Sequence, residues 1–336
     1  MKRRIIALAM TAAAVCSCAA LAACSPEGPA TGAETVTITC LNAEAQPIEK
    51  EVPLEPERVA ILDYAVLDMM DALGVGDKVV SSATGTISYL QDYWDKAEDG
   101  SISNLGNLQS YSMELLQQSE PDIIFIGGRQ SANYAQFEEI APVVYLSVTA
   151  GNIVEETLEN FDTVGAIFGK TQTEIDAVKA EYDIASRVEA LAALSKDADG
   201  EASTCLNIMW NSASSFSALS SDGRLSLIVG EIGFDNVNTS FSESQHGSAT
   251  SWEAIAETDP DYIFVMNRSY ITSNDGSSPE QAAEAVRSEM QAELDKVGYS
   301  GTLVVLLNPD VWYTAEGGLQ ALDTMLSDLE SALIKG

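Results

Sequence analysis

Histidine is nearly absent: His246 is the only one in 336 residues. A cage of several imidazoles for zinc or manganese therefore cannot be built from this chain. Ser-His-Asp hydrolysis needs a histidine beside its nucleophile. His246 leaves that possible, but no G-x-S-x-G elbow supports it. Basic residues are also scarce, 17 Lys and Arg against 51 Asp and Glu, for a net charge of −34. Lys2, Arg3 and Arg4 sit at the extreme amino end, so the rest of the chain is more acidic still. Nucleic acid and anionic lipid surfaces are poor partners for such a molecule. Cysteine is sparse too. Of five, Cys16, Cys18 and Cys24 lie in the first 24 residues, which leaves Cys40 and Cys205 in different halves of the chain. No disulfide framework exists, and two separate thiols are expected. Beyond the amino end no run is long and apolar enough to span a bilayer.

The amino end itself reads as a leader. A positive n-region precedes the apolar, Ala-rich stretch Ile5 to Ala22, and Leu21-Ala22-Ala23-Cys24 resembles a lipobox. Residues 1–23 are thus expected to be a signal peptide, with Cys24 lipidated. Residues 24–34, rich in Pro, Gly, Ala and Glu, read as a flexible tether. The protein is expected outside the cytoplasmic membrane, held there by its lipid anchor alone and monomeric.

The most informative internal feature is a repeat at an offset of 139 positions. Ser112, Glu114, Pro121, Asp122, Ile124, Phe125 and Arg129 recur in register as Ser251, Glu253, Pro260, Asp261, Ile263, Phe264 and Arg268. Around it, short apolar runs such as Val59 to Leu62, Ile123 to Ile126, Leu206 to Met209 and Leu303 to Leu307 alternate with helical patterns. This predicts α/β architecture with parallel, doubly wound sheets. Two lobes follow, residues 35–170 and 197–336. The spacing of Ile175, Val178, Tyr182, Ala185, Val188 and Leu191 predicts one long linking α-helix over 171–196.

Ligands of doubly wound sheets bind at the carboxyl ends of strands. Arg129 and Arg268 fall just past equivalent strands, and Arg224 is expected to open the helix after the first strand and loop of the second lobe. Each could instead pair with a local carboxylate. At about 4 Å and an effective dielectric near 20, each contributes on the order of 4 kcal/mol toward an anion before desolvation. Acidic surface charge is screened within about 8 Å, so the local term dominates. Tyr313, in the stretch Asp310 to Gly318 after the last strand, reads as a lip aromatic or as a phenolate ligand for a hard trivalent metal. Gly317 and Gly318 would allow a ligand close to the backbone, or simply start a helix.

Pro56-Glu-Arg58-Val-Ala-Ile-Leu-Asp63-Tyr64, Gly128-Arg129-Gln130, His246-Gly247 and Asp310-Val-Trp-Tyr313 with Gly317-Gly318-Leu-Gln together resemble the ferric-siderophore substrate-binding lipoproteins of ABC importers, in particular the catecholate branch. The resemblance implies the class III periplasmic-binding-protein fold, two α/β lobes joined by a single long helix. It implies no catalysis and no permanent cofactor, with an Fe(III)-siderophore as cargo and a transmembrane ABC permease as partner. Arg129, Arg224 and Arg268 would form a basic triangle. His246 and Tyr313 would complete the iron coordination when the siderophore is tetradentate, and Glu114 and Glu253 would dock the permease. Helix N-terminal stabilisation is the competing account of both glutamates. Glu316 departs from the small residue usual beside the tyrosine. A haem or corrinoid carrier of the same fold is the alternative cargo class, and a secreted hydrolase using His246 as base is the alternative of another kind.

Overall fold

The computed structural model describes residues 34–238, 248–273 and 277–334. An antiparallel hairpin opens it, β1 (Thr35–Leu41) against β2 (Pro47–Pro53). There follow β3 (Val59–Leu62), α1 (Tyr64–Ala72), β4 (Val79–Ser82), α2 (Gln91–Asp99) and β5 (Ser103–Asn104). A small antiparallel pair comes next, β6 (Gly106–Asn107) and β7 (Ser110–Tyr111), then α3 (Met113–Gln118), β8 (Ile123–Ile126), α4 (Tyr134–Glu138) and β9 (Val143–Tyr145). The first sheet runs β5-β4-β3-β8-β9, with all its pairings parallel. Strands β3, β8 and β9 are buried along their whole length. That is why they read as unbroken apolar runs rather than alternating ones.

Helix α5 (Ile153–Ile167) leads to α6 (Gln172–Tyr182) and α7 (Ile184–Leu194). The linking segment is helical over the expected length but not continuous. Asp183 adopts φ +47°, a left-handed conformation that ends α6 and starts α7. The periodicity misled here because the break resets the buried face. Ile184 is buried where Ala185 had been expected, and Ala185 is exposed. Arg187 of α7 is thereby turned onto the carboxylates of Asp323 and Glu330.

The second half contains β10 (Thr204–Ser212), β11 (Ser215–Ala218), α8 (Ser226–Gly230), β12 (Asp235–Asn236), β13 (Ser248–Ala249), α9 (Trp252–Thr258) and β14 (Tyr262–Asn267). Then come α10 (Arg268–Ser273), α11 (Pro279–Val297), β15 (Thr302–Val305), α12 (Pro309–Thr314) and α13 (Leu319–Leu333). Its sheet runs β13-β11-β10-β14-β15, with β12 also on β10. Strands β10, β14 and β15 are parallel. In both sheets the chain starts centrally, builds to one side, and then crosses to the other. The direction reverses between β3 and β8 in the first sheet and between β10 and β14 in the second.

The sequence repeat proves to be largely a building instruction. Ser112 and Ser251 are the N-caps of α3 and α9, accepting from the Leu115 and Ala254 N–H groups at 3.2 Å each. Glu120 and Asp259 take left-handed φ values of 44° and 41° to turn out of those helices. Asp122 accepts from the N–H groups of Glu57 and Arg58, and Asp261 from the N–H and hydroxyl of Thr204. Each aspartate therefore pins the amino end of the first strand of its own sheet. Ser and Asp recur for these reasons, which leaves the repeated Glu and Arg unexplained by the fold.

The two halves are stitched by reciprocal caps. Helix α13 starts at Gly318, which offers no side-chain cap, and α5 starts at Asn152, whose side chain does not cap it either. Asp68 of α1 supplies the missing acceptor to α13, taking the N–H groups of Gln320 at 2.9 Å and Ala321 at 2.8 Å. Glu231, just past α8, does the same for α5 through the Val154 N–H at 2.9 Å. A Cβ on Gly318 would stand 2.7 Å from the Asp68 carboxyl carbon, so glycine is required there by this contact. That decides in favour of the helix-start reading of Gly318. One continuous apolar core accordingly includes Ile61 and Phe125 from the first half with Leu225, Trp312 and Leu326 from the second. A separate cluster around Trp210, Phe216, Ile263 and Met290 covers the other face of the second sheet. The remaining thiols, Cys40 and Cys205, are buried and free.

Candidate functional site

A cleft of about 750 Å³ lies where the two reversal points face one another. From the first half it is lined by Asp63 after β3, Arg129 after β8 and Tyr145 at the end of β9. From the second it is lined by Arg224, Arg268, Tyr313 and Glu316. The crevice between diverging parallel strands leaves main-chain and side-chain groups at the strand ends without neighbours above them, which is why ligands bind there.

Each arginine is aimed differently. Arg129 lies in the short 3₁₀ turn Gly128–Asn133 and is exposed. Arg268 is the first residue of α10, continuous with β14. Its Nη1 donates to Asn211 Oδ1 at 3.0 Å, across the second reversal point, and its Nε to the Tyr313 hydroxyl at 3.3 Å. Arg224 was expected to begin a helix, but the helix starts only at Ser226. Leu225 intervenes at φ +68°, a strained conformation for a leucine. It is held there by complete burial and by the Asn207 amide, which donates to its carbonyl at 3.3 Å. The kink swings Arg224 over the ring of Tyr313, 4.0 Å from centroid to guanidinium carbon, where Nη1 donates to the Tyr313 carbonyl at 2.6 Å. Arg224 Nε is buried with no hydrogen-bond partner.

The partners of the arginines separate structural from available cations. Arg58 is spent on the carbonyls of Ser119 and Glu120, Arg187 on Asp323 and Glu330, and Arg287 on the Leu303 carbonyl with Glu284 nearby. Among the described residues, no carboxylate lies within ion-pair distance of Arg129, Arg224 or Arg268. Outside the cleft, Arg187 and Arg287 have carboxylates within reach and Arg58 is held by main-chain carbonyls, whereas pairing with a local carboxylate fails for the three arginines inside it. Burial holds the Arg224 guanidinium below its ordinary value, an effect opposed by Glu316 and Tyr313 and reinforced by Arg129 and Arg268. Three cations converging with no ion-paired carboxylate among the described residues are a stored electrostatic cost, only partly offset by Glu316, that an anionic ligand would relieve.

The stretch around Tyr313, between the last strand and the last helix, contains the short helix α12, begun by Pro309 at its first turn. Tyr313 is buried between the two second-half arginines. Glu316 follows in the turn to α13, where Gly317 at φ +99° suits a glycine. Burial pushes the Glu316 carboxyl up to about 7, with Arg224 pulling it back and Glu231 pushing it further. Two residues that sequence reasoning did not single out for the cleft belong with these. Asn211 orients Arg268, and Asp63 caps α1 through the Ala65 N–H at 3.0 Å while burial raises it to about 6. The Asp63-Tyr64 pair that ends the first strand was the available signal for Asp63. Asn211 had none. His246 and Cys24 lie outside the described residues. Among those described, no cluster of His, Cys, Asp or Glu could hold a metal ion, and no helix is long and apolar enough to cross a membrane.

These carboxyls also set an expected pH response. Asp63, Asp68 and Glu316 are raised by burial to about 6, 7 and 7. Each favours the folded state fully below its unfolded value near 4 and loses that contribution as pH rises through 6 to 7. Self-repulsion of the acidic chain acts in the same direction. The unliganded melting temperature is therefore expected to be higher at pH 5.5 than at pH 8, as calorimetry can check; the opposite order would contradict the burial of these groups.

The family model described as periplasmic binding protein matches residues 59–296. The chain belongs to the periplasmic binding protein family. Within that family it is 28% identical over 334 residues to the petrobactin-binding protein YclQ of Bacillus subtilis, covering 99% of each chain. It is 23% identical over 299 residues to the ferric-anguibactin-binding protein FatB of Vibrio anguillarum, covering 84% of this chain and 88% of FatB. Among solved structures it resembles the iron uptake ABC transporter substrate-binding protein PiuA from Streptococcus pneumoniae. That match has a TM-score of 0.72 and 25% identity, over 90% of this chain and 100% of PiuA. As a member of the family the chain has the expected α/β fold, with a parallel sheet in the first half and, in the second, a sheet whose parallel strands β10, β14 and β15 are joined at one edge by antiparallel β11 and β13.

Proposed function

We propose that this periplasmic binding protein captures a ferric siderophore of the catecholate type outside the cytoplasmic membrane, anchored through Cys24, and delivers it to an ABC importer permease without catalysis. The single observation that carries this reading is the convergence of Arg129, Arg224 and Arg268 on one cleft, none with an ion-paired carboxylate among the described residues, with Arg224 and Arg268 over the ring of Tyr313. Ferric catecholates are large, flat-edged polyanions, and guanidinium groups suit their oxygen-rich rims. The cleft volume lies within the range of ligand sites. The names of the relatives, petrobactin-binding and ferric-anguibactin-binding, support the same cargo class. Iron is part of the cargo, with Tyr313 and His246 as the side chains offered to it when the siderophore leaves coordination positions open.

Fluorescence titration tests the reading. Trp312 is fully buried beside Tyr313, and its indole N–H donates to Asp328 at 2.9 Å. Ferric catecholates should quench it with sub-micromolar affinity. Tetradentate complexes should also show a charge-transfer shift that is lost in His246→Ala and Tyr313→Phe. Tight binding of haem or of a ferric hydroxamate, with no catecholate bound, would overturn the assignment.

Glu114 and Glu253 occupy the same exposed position in the first turns of α3 and α9. Serine N-caps already serve both helix starts, and an acidic residue there adds only about 0.3–1 kcal/mol. We assign both glutamates to permease docking. The double variant Glu114→Arg with Glu253→Arg is expected to bind its cargo normally yet to block uptake by cells; normal uptake would remove the docking role.

A further inference from the structure

Glu316 is the feature of the cleft that capture of a polyanion does not explain. It places a carboxylate among three arginines, yet it neutralises none of them: among the described residues it forms no ion pair, and no N–H or O–H group donates to it. It lines the main cleft and also a side pocket of about 70 Å³ that opens onto Arg224 and Glu316 and is bordered by Asp222, Ser226 and Thr149. The side pocket has about a tenth of the main cleft's volume and suits a short segment of a ligand whose bulk lies in the main cleft. Two carboxylates border it and one guanidinium closes one wall. Held against a bound polyanion, this carboxylate is repulsive. That cost disappears if the ligand itself brings a cation to this point.

We propose that Glu316, with Asp222 beside it, is the specificity element of the cleft. It receives a protonated amine carried in the linker between the catechols, so the preferred cargo is a mixed-charge iron complex rather than a purely anionic one. This deepens the reading of the cleft as a ferric catecholate site and rests on it. The arginines take the oxygen rim of the iron centre, while Glu316 reads what joins the catechols. Arg224, shared by the cleft and the side pocket, sets the distance between the two.

The test uses a matched pair of bis-catecholamide ligands as their ferric complexes. Their linkers are of equal length, one all carbon and the other interrupted by a secondary amine. Tryptophan quenching of the full-length protein should show at least tenfold tighter binding of the amine-bearing complex, the scale of one charge-assisted hydrogen bond. In Glu316→Gln the preference should collapse to within about threefold, with the all-carbon complex binding more tightly than it does to the original protein. Glutamine keeps the shape and the acceptor oxygen, so the charge alone is removed. Asp222→Asn should give a smaller shift in the same direction. If both complexes bind the original protein equally, or if Glu316→Gln keeps the preference, the assignment of Glu316 is wrong while the catecholate reading stands. If neither complex binds the original protein, the catecholate reading fails and the inference falls with it.

Discussion

Truncating Arg224 to alanine is expected to weaken capture of a ferric catecholate about 100-fold, a loss of roughly 2.7 kcal/mol, while changing the unliganded melting temperature little. The first half of that expectation follows from placement. Arg224 is partly buried, it carries a buried Nε with no partner among the described residues, and its remaining contacts orient it over Tyr313. A charged hydrogen bond made in such a site contributes about 1.5–3 kcal/mol, at the upper end where water is excluded. The second half follows from the lack of an ion-paired carboxylate at Arg224 among the described residues. Removing one of three mutually repelling guanidiniums offsets the lost bond to the Tyr313 carbonyl. Arg129→Ala should cost less, about tenfold, because that side chain is exposed and must be ordered on binding. Arg224→Lys should recover only part of the affinity, since a point charge cannot hold the Tyr313 carbonyl and face a ligand at once. Binding by Arg224→Ala within threefold of the original, measured by the same titration, would take Arg224 out of the site.

How much of this was legible in the sequence depends on how local its cause is. The repeat was readable because both halves solve the same short-range problem. A serine caps a helix, an acidic residue turns left-handed, an aspartate pins the neighbouring strand, and an arginine follows the strand end. Arg129 and Arg268 were located by that register alone. The fully buried strands announced themselves as apolar runs. What stayed hidden has causes distant in sequence. Helix α2 shows only Tyr93, Trp94 and Ala97 to the core, too few for a period to stand out in a polar segment. The break at Asp183 cannot be seen in a continuous helical pattern, because aspartate forbids nothing by its identity. Arg224 was placed at the start of a helix that the strained Leu225 postpones, and that strain is maintained by Asn207, 18 positions upstream. The two N–H groups that Asp68 caps lie more than 250 positions away and belong to the main chain, so no side-chain pattern reports them.

Asp68 carries the largest expected effect on stability. In Asp68→Ala the N–H groups of Gln320 and Ala321 and the hydroxyl of Tyr89, which donates to the carboxylate at 2.7 Å, all lose their acceptor inside the protein. An unsatisfied buried donor costs about 1–3 kcal/mol. Against this stands the relief of burying a carboxyl that its surroundings push up to about 7. Three stranded donors outweigh one relieved acid, and a net loss of about 3 kcal/mol is expected, seen as a melting temperature lower by roughly 5–10 °C. The effect should reach the cleft. Helix α13 begins directly after Glu316, Gly317 and Gly318, so an uncapped start loosens the turn that places Tyr313 and Glu316. Cargo should bind more weakly, and saturating cargo should recover part of the lost melting temperature. A second variant separates the stitch from the local cap. Gly230→Ala would put a Cβ 2.7 Å from the Gly151 Cα, at the contact where Glu231 caps α5. It wedges the halves apart without touching Asp68 or the cleft lining. If the two halves are held by these reciprocal caps, both variants lower stability and both weaken binding. A Gly230→Ala protein that melts and binds like the original would show that the halves do not depend on that contact, and Asp68 would then act only as a helix cap.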